Sequence, residues 1–272
     1  MPEPQYIAAD WYDSPHYYDL IFDQDTVVEA DFVEAAWEKH SAIQGLPKQL
    51  RILEPACGSG RMMKELASRG HRVTGFDRNE KMLKAARERF ESANCRGTLK
   101  RASLEEFSLK GKFDIAHCLV STFKYILTEE GAVSHLQCVA NHLRPGGIYL
   151  LGIHLTDYSR ENCEHERWTG SDAGVHVVCN TRTWPPDRRT RLEKLRNRLR
   201  VRHDDDPRER LLETVWNCRT YSAGEFFRTI AKVPALTPVA FYNFHHDIER
   251  PLLQARRQLS NDVVFVLQNT SN

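Results

Sequence analysis

Hydrophobic and polar positions change rhythm along the chain, and the change divides it. Up to about residue 155, short runs of consecutive apolar residues alternate with stretches whose apolar residues recur every three or four positions. Runs of the first kind read as buried strands and stretches of the second as amphipathic helices. QLRILEPA (49–56), HRVTGFD (71–77), KFDIAHCLVS (112–121) and IYLLGIHL (148–155) are the expected strands. VVEADFVEAAWEKH (27–40), RMMKELASRG (61–70), NEKMLKAARERFESA (79–93) and EEGAVSHLQCVANHL (129–143) are the expected helices. In the first helix Val28, Phe32, Ala35 and Ala36 share a side. Gly70 stops the second, Asn79 caps the third, and Pro145-Gly146-Gly147 break the fourth. Apolar, non-alternating strands interleaved with helices predict a parallel sheet covered on both faces.

After Asp157 the strands become two-faced. VHVVCNTRTW (175–184), TRLEKLRNRLRVRH (190–203) and RLLETVWNCRTY (210–221) alternate, separated by turn-rich segments, as in an antiparallel excursion. Ser222 and Glu225 form an S-x-x-E capping box opening the helix SAGEFFRTIAKV. TPVAFYNF (237–244) and NDVVFVLQN (261–269) read as two closing strands. The expected layout is a single α/β domain over 1–272, with a β-rich insertion at 158–220.

Composition adds limits. Hydrophobic residues are 41% and charged residues 28% of the chain, and its formal net charge is +1, so no global field draws it to nucleic acid or membrane. The opening MPEPQYIAADWYD carries acids and no apolar segment, unlike a signal peptide. The longest apolar run, near IYLLGI (148–153), is too short to span a bilayer. Seven cysteines without CxxC spacing read as reduced thiols, and a cytoplasmic location is expected.

The chemistry concentrates in ILEPACGSGRMMKELASRGHRVTGFDRN (52–79): strand, glycine turn, helix, strand, aspartate. Such a turn presents backbone N–H groups and a helix N-terminus to a nucleotide-like ligand at the carboxyl edge of a sheet. Gly58 and Gly60 permit the sharp bend. Asp77, at the end of the next strand, can accept both hydroxyls of a ribose. A dinucleotide fingerprint requires a third glycine, where Met63 stands here. Glu54, before the turn, suits a cofactor bearing an ammonium group rather than two phosphates.

On these residues the chain resembles class I S-adenosylmethionine-dependent methyltransferases, in particular bacterial small-molecule enzymes such as sugar N,N-dimethyltransferases. LEPACGSG is similar to their LDxACGxG motif. The resemblance implies a Rossmann-like, seven-stranded, mostly parallel sheet with helices on both faces and an antiparallel insertion after the fifth strand. It implies contacts from Glu54, Ala56, Gly58, Ser59 and Gly60 to the methionine portion of S-adenosylmethionine, and from Asp77 to its ribose. Arg78 and Met82 would flank the adenine. Ala102-Ser103-Leu104 falls where many members carry Gly-Asp-Met, so the Leu104 N–H would serve the adenine edge beside Ser103. LVSTFKYI (119–126) resembles the segment after the fourth strand of these enzymes, which would put Leu119 and Val120 beside the cofactor and point Tyr125 toward the acceptor. WYDSPHYYDLIF (11–22), within residues 1–45, resembles a lid over cofactor and substrate, and the insertion resembles the family's acceptor-binding element.

Tyr125, Tyr18 and His154 are the groups expected to orient or deprotonate the acceptor. Of the adjacent tyrosines, Tyr18 rather than Tyr17 is expected to face the cofactor. His117, mid-strand, reads as core. The pairs Cys163/His165 and His245/His246 lack four-ligand zinc spacing, so no metal is expected. The basic positions 188–202 read as a solvated strand face, with the even-numbered members from Lys194 to Arg202 on one side and Leu195 and Leu199 opposite. The expected activity is methyl transfer to N or O of a small-molecule acceptor, by a monomer or homodimer without nucleic-acid or membrane partners. Two other readings stay open: an RNA methyltransferase using the basic strand, and a non-catalytic cofactor-binding scaffold.

Overall fold

The structure, a computed structural model, describes residues 5–45, 49–252 and 261–271. Strand β1 (Ile7–Ala8), a 3-10 turn at Trp11–Asp13, α1 (Pro15–Phe22) and α2 (Thr26–His40) open the chain. The strand–helix alternation then follows as β2 (Arg51–Pro55), α3 (Arg61–Ser68), β3 (Arg72–Asp77), α4 (Glu80–Ser92), β4 (Gly97–Arg101) and β5 (Phe113–Cys118). A 3-10 turn at Thr122–Tyr125 leads to α5 (Glu129–His142) and β6 (Leu143–His154). The two-faced stretch forms β7 (Glu164–Asp172), β8 (Val175–Thr183), β9 (Leu192–His203) and β10 (Asp206–Arg219), before α6 (Ala223–Ala231), β11 (Leu236–Tyr242) and β12 (Asp262–Asn269) close the chain.

Seven strands form the main sheet in the order β11-β12-β6-β5-β2-β3-β4. The strands from β2 to β6 pair in parallel, whereas β12 runs antiparallel to both neighbours. Both faces are covered, as the apolar runs require. Along β6, Tyr149, Leu151 and Ile153 join a core with α5 and α6, while Ile148 and Leu150 join one with α2, α3 and α4. Strand order reverses between β2 and β5, and this leaves a crevice at their carboxyl ends.

The local signals hold where they were specific. Asn79 accepts the N–H groups of Lys81 and Met82 at the start of α4, and Ser222 and Glu225 form the reciprocal capping box of α6. One expectation fails: Val28 is 52% exposed, and the buried side of α2 carries Ala30, Phe32, Val33, Ala36 and Trp37 instead. Val28 faces the large cavity described below.

Strands β7 to β10 form a second, antiparallel sheet joined by β1 at its edge. Its inner face packs Val177, Cys179, Leu199 and Val201 against Trp11 and Ile21 of the amino-terminal segment. The approach is close at Gly170, where a Cβ would lie 2.1 Å from the Leu20 carbonyl oxygen.

Candidate active site

The glycine turn is built from left-handed backbone. Ala56, Gly58 and Gly60 have φ of 53°, 52° and 72°, a region costly to any residue but glycine. A Cβ on Gly60 would also come within 3.0 Å of the Ala86 Cβ, so α4 leaves no room for one. Asp77 completes the turn by accepting the N–H of Gly58 at 2.9 Å and that of Asn79 at 2.8 Å.

Beside the turn lies a crevice of about 90 Å³ whose lining includes Ala56, Gly58, Asp77, Arg78, Met82 and Leu104 from the expected set. Phe76 and Ile126 add apolar surface, and Asp10, Asn79 and Glu105 add polar groups that the motif did not indicate. Ser103 is not among the lining residues; its hydroxyl accepts the Glu106 N–H and so closes a local turn. Ser59 donates to Asp19 of α1, which also pairs with Arg89 at 2.6 Å. Asp13 meets Lys81 at 2.8 Å and Asn79 at 3.0 Å, so two acids tie the amino-terminal segment to α4.

Glu54 lies behind the turn with its side chain 12% exposed, and its Oε2 has no hydrogen-bond partner among the described residues. Burial pushes this acid up to about 8, against the pull of Arg61. Its neighbour His117, with Nε2 3.9 Å away, is pushed down to about 3 by the same burial. Near neutral pH the pair is an acid and a neutral imidazole. Burial also raises the Tyr18 and Tyr125 phenols, so they stay protonated and can donate hydrogen bonds but not accept protons. Tyr12, which the motif reading passed over, donates to the Tyr125 oxygen at 2.8 Å.

A second cavity, about 750 Å³, opens between the amino-terminal segment, the carboxyl edge of the main sheet and the inner face of the second sheet. Leu119, Val120 and His154 line it rather than the crevice. Four residues, Tyr12, Tyr18, Thr122 and Tyr125, line both spaces and mark where they join. Tyr17 lines neither; it faces His203 and Arg210.

Charged groups on the wall of the second cavity are mostly paired. Lys124, 7% exposed, meets Glu193 of β9 at 2.6 Å, and Arg160 spans Glu193 and Glu164 at 3.1 and 3.2 Å. Arg61 meets Glu29 at 2.6 Å and donates to Thr26. His154 Nδ1 lies 2.5 Å from Asp262 Oδ1, and the His154 N–H donates to Ser121. Burial lowers His246 to about 4, leaving it a neutral ring on the wall. No group of three His, Cys, Asp or Glu side chains among the described residues could hold a metal ion.

The basic positions of β9 face away from this cavity. Glu193, Leu195 and Asn197 line it, while Lys194 and Arg196 gather with Arg182 around the Trp184 ring on the other side. Arg198, Arg200 and Arg202 pair with Glu213, Glu209 and Asp204.

The crevice fits S-adenosylmethionine with a two-oxygen acceptor in Asp77 and an apolar slot between Phe76, Met82 and Leu104, while Glu54, Ser59 and Gly60 of the expected set do not line it. Residues 52–147 match a family model described as a methyltransferase domain. That match falls on the glycine turn and Asp77, the residues that carried the expectation of an S-adenosylmethionine-dependent methyltransferase. A dTDP-3-amino-3,4,6-trideoxy-alpha-D-glucopyranose N,N-dimethyltransferase of Streptomyces venezuelae is 29% identical over 105 residues, 39% of this chain and 43% of that protein. A ubiquinone biosynthesis O-methyltransferase of Aromatoleum aromaticum is 32% identical over 99 residues, 36% of this chain and 41% of that protein. Among solved structures, Streptomyces venezuelae DesVI superposes with a TM-score of 0.73 at 17% identity, covering 97% of this chain and 100% of that one. An S-adenosylmethionine-dependent methyltransferase from Clostridium acetobutylicum gives 0.72 at 17% identity, covering 94% and 97%. The chain spans about half the length of the curated relatives it matches, or less. No helix among the described residues is long and apolar enough to cross a membrane.

Proposed function

We propose that the chain transfers the methyl group of S-adenosylmethionine to the nitrogen of a small-molecule amine. The observation that carries this reading is the second cavity, joined to the crevice at Tyr12, Tyr18, Thr122 and Tyr125, with seven carboxylates on its wall against three permanent cations, Arg61, Lys124 and Arg160. That excess of negative charge favours an acceptor that arrives as a cation. A phenol that must shed its proton to react would gain nothing from it. Relatives named as aminosugar N,N-dimethyltransferases support the same class of acceptor.

Asp77 would hold the ribose hydroxyls, Ala56 and Gly58 of the glycine turn would border the methionine portion, and Met82, Arg78 and Leu104 would enclose the adenine. When bound, the cofactor would supply an electrophilic sulfonium methyl, its sulfur keeping the S–C electron pair as the amine lone pair forms the N–C bond. An ammonium acceptor must lose a proton before its lone pair can attack. His154 Nε2 takes that proton, because Asp262 holds Nδ1 and orients the ring with Nε2 free. Tyr18 and Tyr125 orient the nitrogen at the join. Alignment of this kind is worth on the order of 7–11 kcal/mol of the barrier.

The test is turnover of isotope-labelled S-adenosylmethionine with aminosugars and aliphatic amines, beside matched hydroxyl compounds. Label entering the amines alone supports the reading. Label entering the hydroxyl compounds alone overturns it.

A further inference from the structure

Among the acids of the second cavity, Asp25 and Glu166 have no side-chain hydrogen bond or ion pair among the described residues, and Asp157 bonds only to Ser159. Of the two unpartnered acids, Glu166 is the one carried by the second sheet. Glu29 has Arg61, Glu193 has Lys124 and Arg160, Glu164 has Arg160, and Asp262 has His154. The Glu166 side chain is exposed to the cavity that it lines and has no ion-pair or hydrogen-bond partner among the described residues. It lies on β7 opposite Thr181, which lines the same wall. Glu166 of β7, His154 of β6 and Asp262 of β12 line the same cavity.

A separate feature points to the same occupant. Trp168, two residues along the same face of β7, meets the Phe22 ring at 5.7 Å, and Phe22 meets Tyr18 at 4.5 Å. Aromatic faces therefore run from the join of the two cavities toward Glu166. Rings beside an uncompensated carboxylate suit a cation that still carries apolar surface.

We propose that Glu166 is the specificity residue that selects a positively charged amino group on the acceptor, holding it beside Trp168 and opposite the His154–Asp262 pair. This rests on the amine reading above. A neutral polyol of the same shape would leave the carboxylate without a partner, so the residue discriminates by charge rather than by size.

Calorimetric titration of the protein saturated with S-adenosylhomocysteine tests the assignment, using D-glucosamine and D-glucose as probes. The wild type should bind the cationic probe roughly tenfold more tightly or better, the scale of a hydrogen bond to a charged group. Glu166→Gln should abolish that preference while leaving affinity for S-adenosylhomocysteine within about threefold, and Glu166→Asp should keep part of it. Should the glutamine variant lose S-adenosylhomocysteine binding, Glu166→Thr, matched to its strand neighbour, makes the same comparison. A preference that survives removal of the carboxylate overturns the role of Glu166 and leaves the amine reading standing. A wild type that binds neither probe, or both equally, overturns the amine reading and this proposal with it.

Discussion

The crevice and the cavity beside it hold their ligands with different parts of the chain. In the crevice the shape comes from backbone: three left-handed residues at the glycine turn and the N–H groups that Asp77 collects, all between Glu54 and Asn79. In the cavity the wall is made of side chains that come from both sheets and the amino-terminal segment, and buried ion pairs hold it. A backbone site tolerates many side chains and binds one ligand type. A side-chain site can be re-specified residue by residue, and its stability depends on charges staying matched.

Breaking a buried pair should have the largest effect. Lys124→Ala leaves Glu193 with Arg160 alone and should cost about 3 kcal/mol of unfolding free energy by denaturant titration. Lys194→Ala, on the outer face of the same strand, should cost less than about 1 kcal/mol. Equal losses would remove the contrast between the inner and outer faces. In the crevice, Asp77→Ala should weaken S-adenosylhomocysteine binding by about 1.5–3 kcal/mol in calorimetry, the scale for hydrogen bonds to a charged acceptor. Unchanged affinity with an intact fold would take Asp77 out of the site.

Glu54 gives a pH test. Its folded-state value, raised to about 8, favours the protonated form, so the stability it contributes is present below the ordinary glutamate range. That contribution is lost as pH rises from there through about 8, with a slope of at most about 1.4 kcal/mol per pH unit. Glu54→Gln should flatten the decline, and a profile parallel to wild type would show that the acid is not held neutral. The smallest effect belongs to the join. Tyr125→Phe removes the acceptor for the Tyr12 hydroxyl at a cost of about 1 kcal/mol in stability. It should slow turnover while sparing S-adenosylhomocysteine affinity; parallel losses in both would assign Tyr125 to packing.

The strands the sequence did not disclose share a position. β4, GTLKR, ends the main sheet, and β1, IA, and β7, EHERWTGSD, are the two edges of the second sheet. An edge strand pairs on one side only and needs no continuous apolar face, so its residues lack the periodicity that marks a buried strand. Val28 misled for a related reason. Helical spacing groups residues by angle but does not say how far along the helix the core reaches: Phe32 and Ala36 of the expected side are buried, whereas Val28, a turn earlier, is exposed at the cavity.

The sequence by itself determined the alternation of strands and helices, the caps of α4 and α6, the glycine turn and its aspartate. Each is written in contiguous residues whose backbone demands are local. Only the tertiary structure decided that Asp262 would meet His154, that Glu193 would bury against Lys124, and that Tyr12 would close over Tyr125. The outward face of the basic residues of β9 was already legible in their two-residue spacing, whereas the tertiary structure alone left Glu166 facing the cavity without a counterion. Those outcomes depend on how two sheets and an amino-terminal segment pack, and packing joins residues far apart in the chain with no periodicity to announce them.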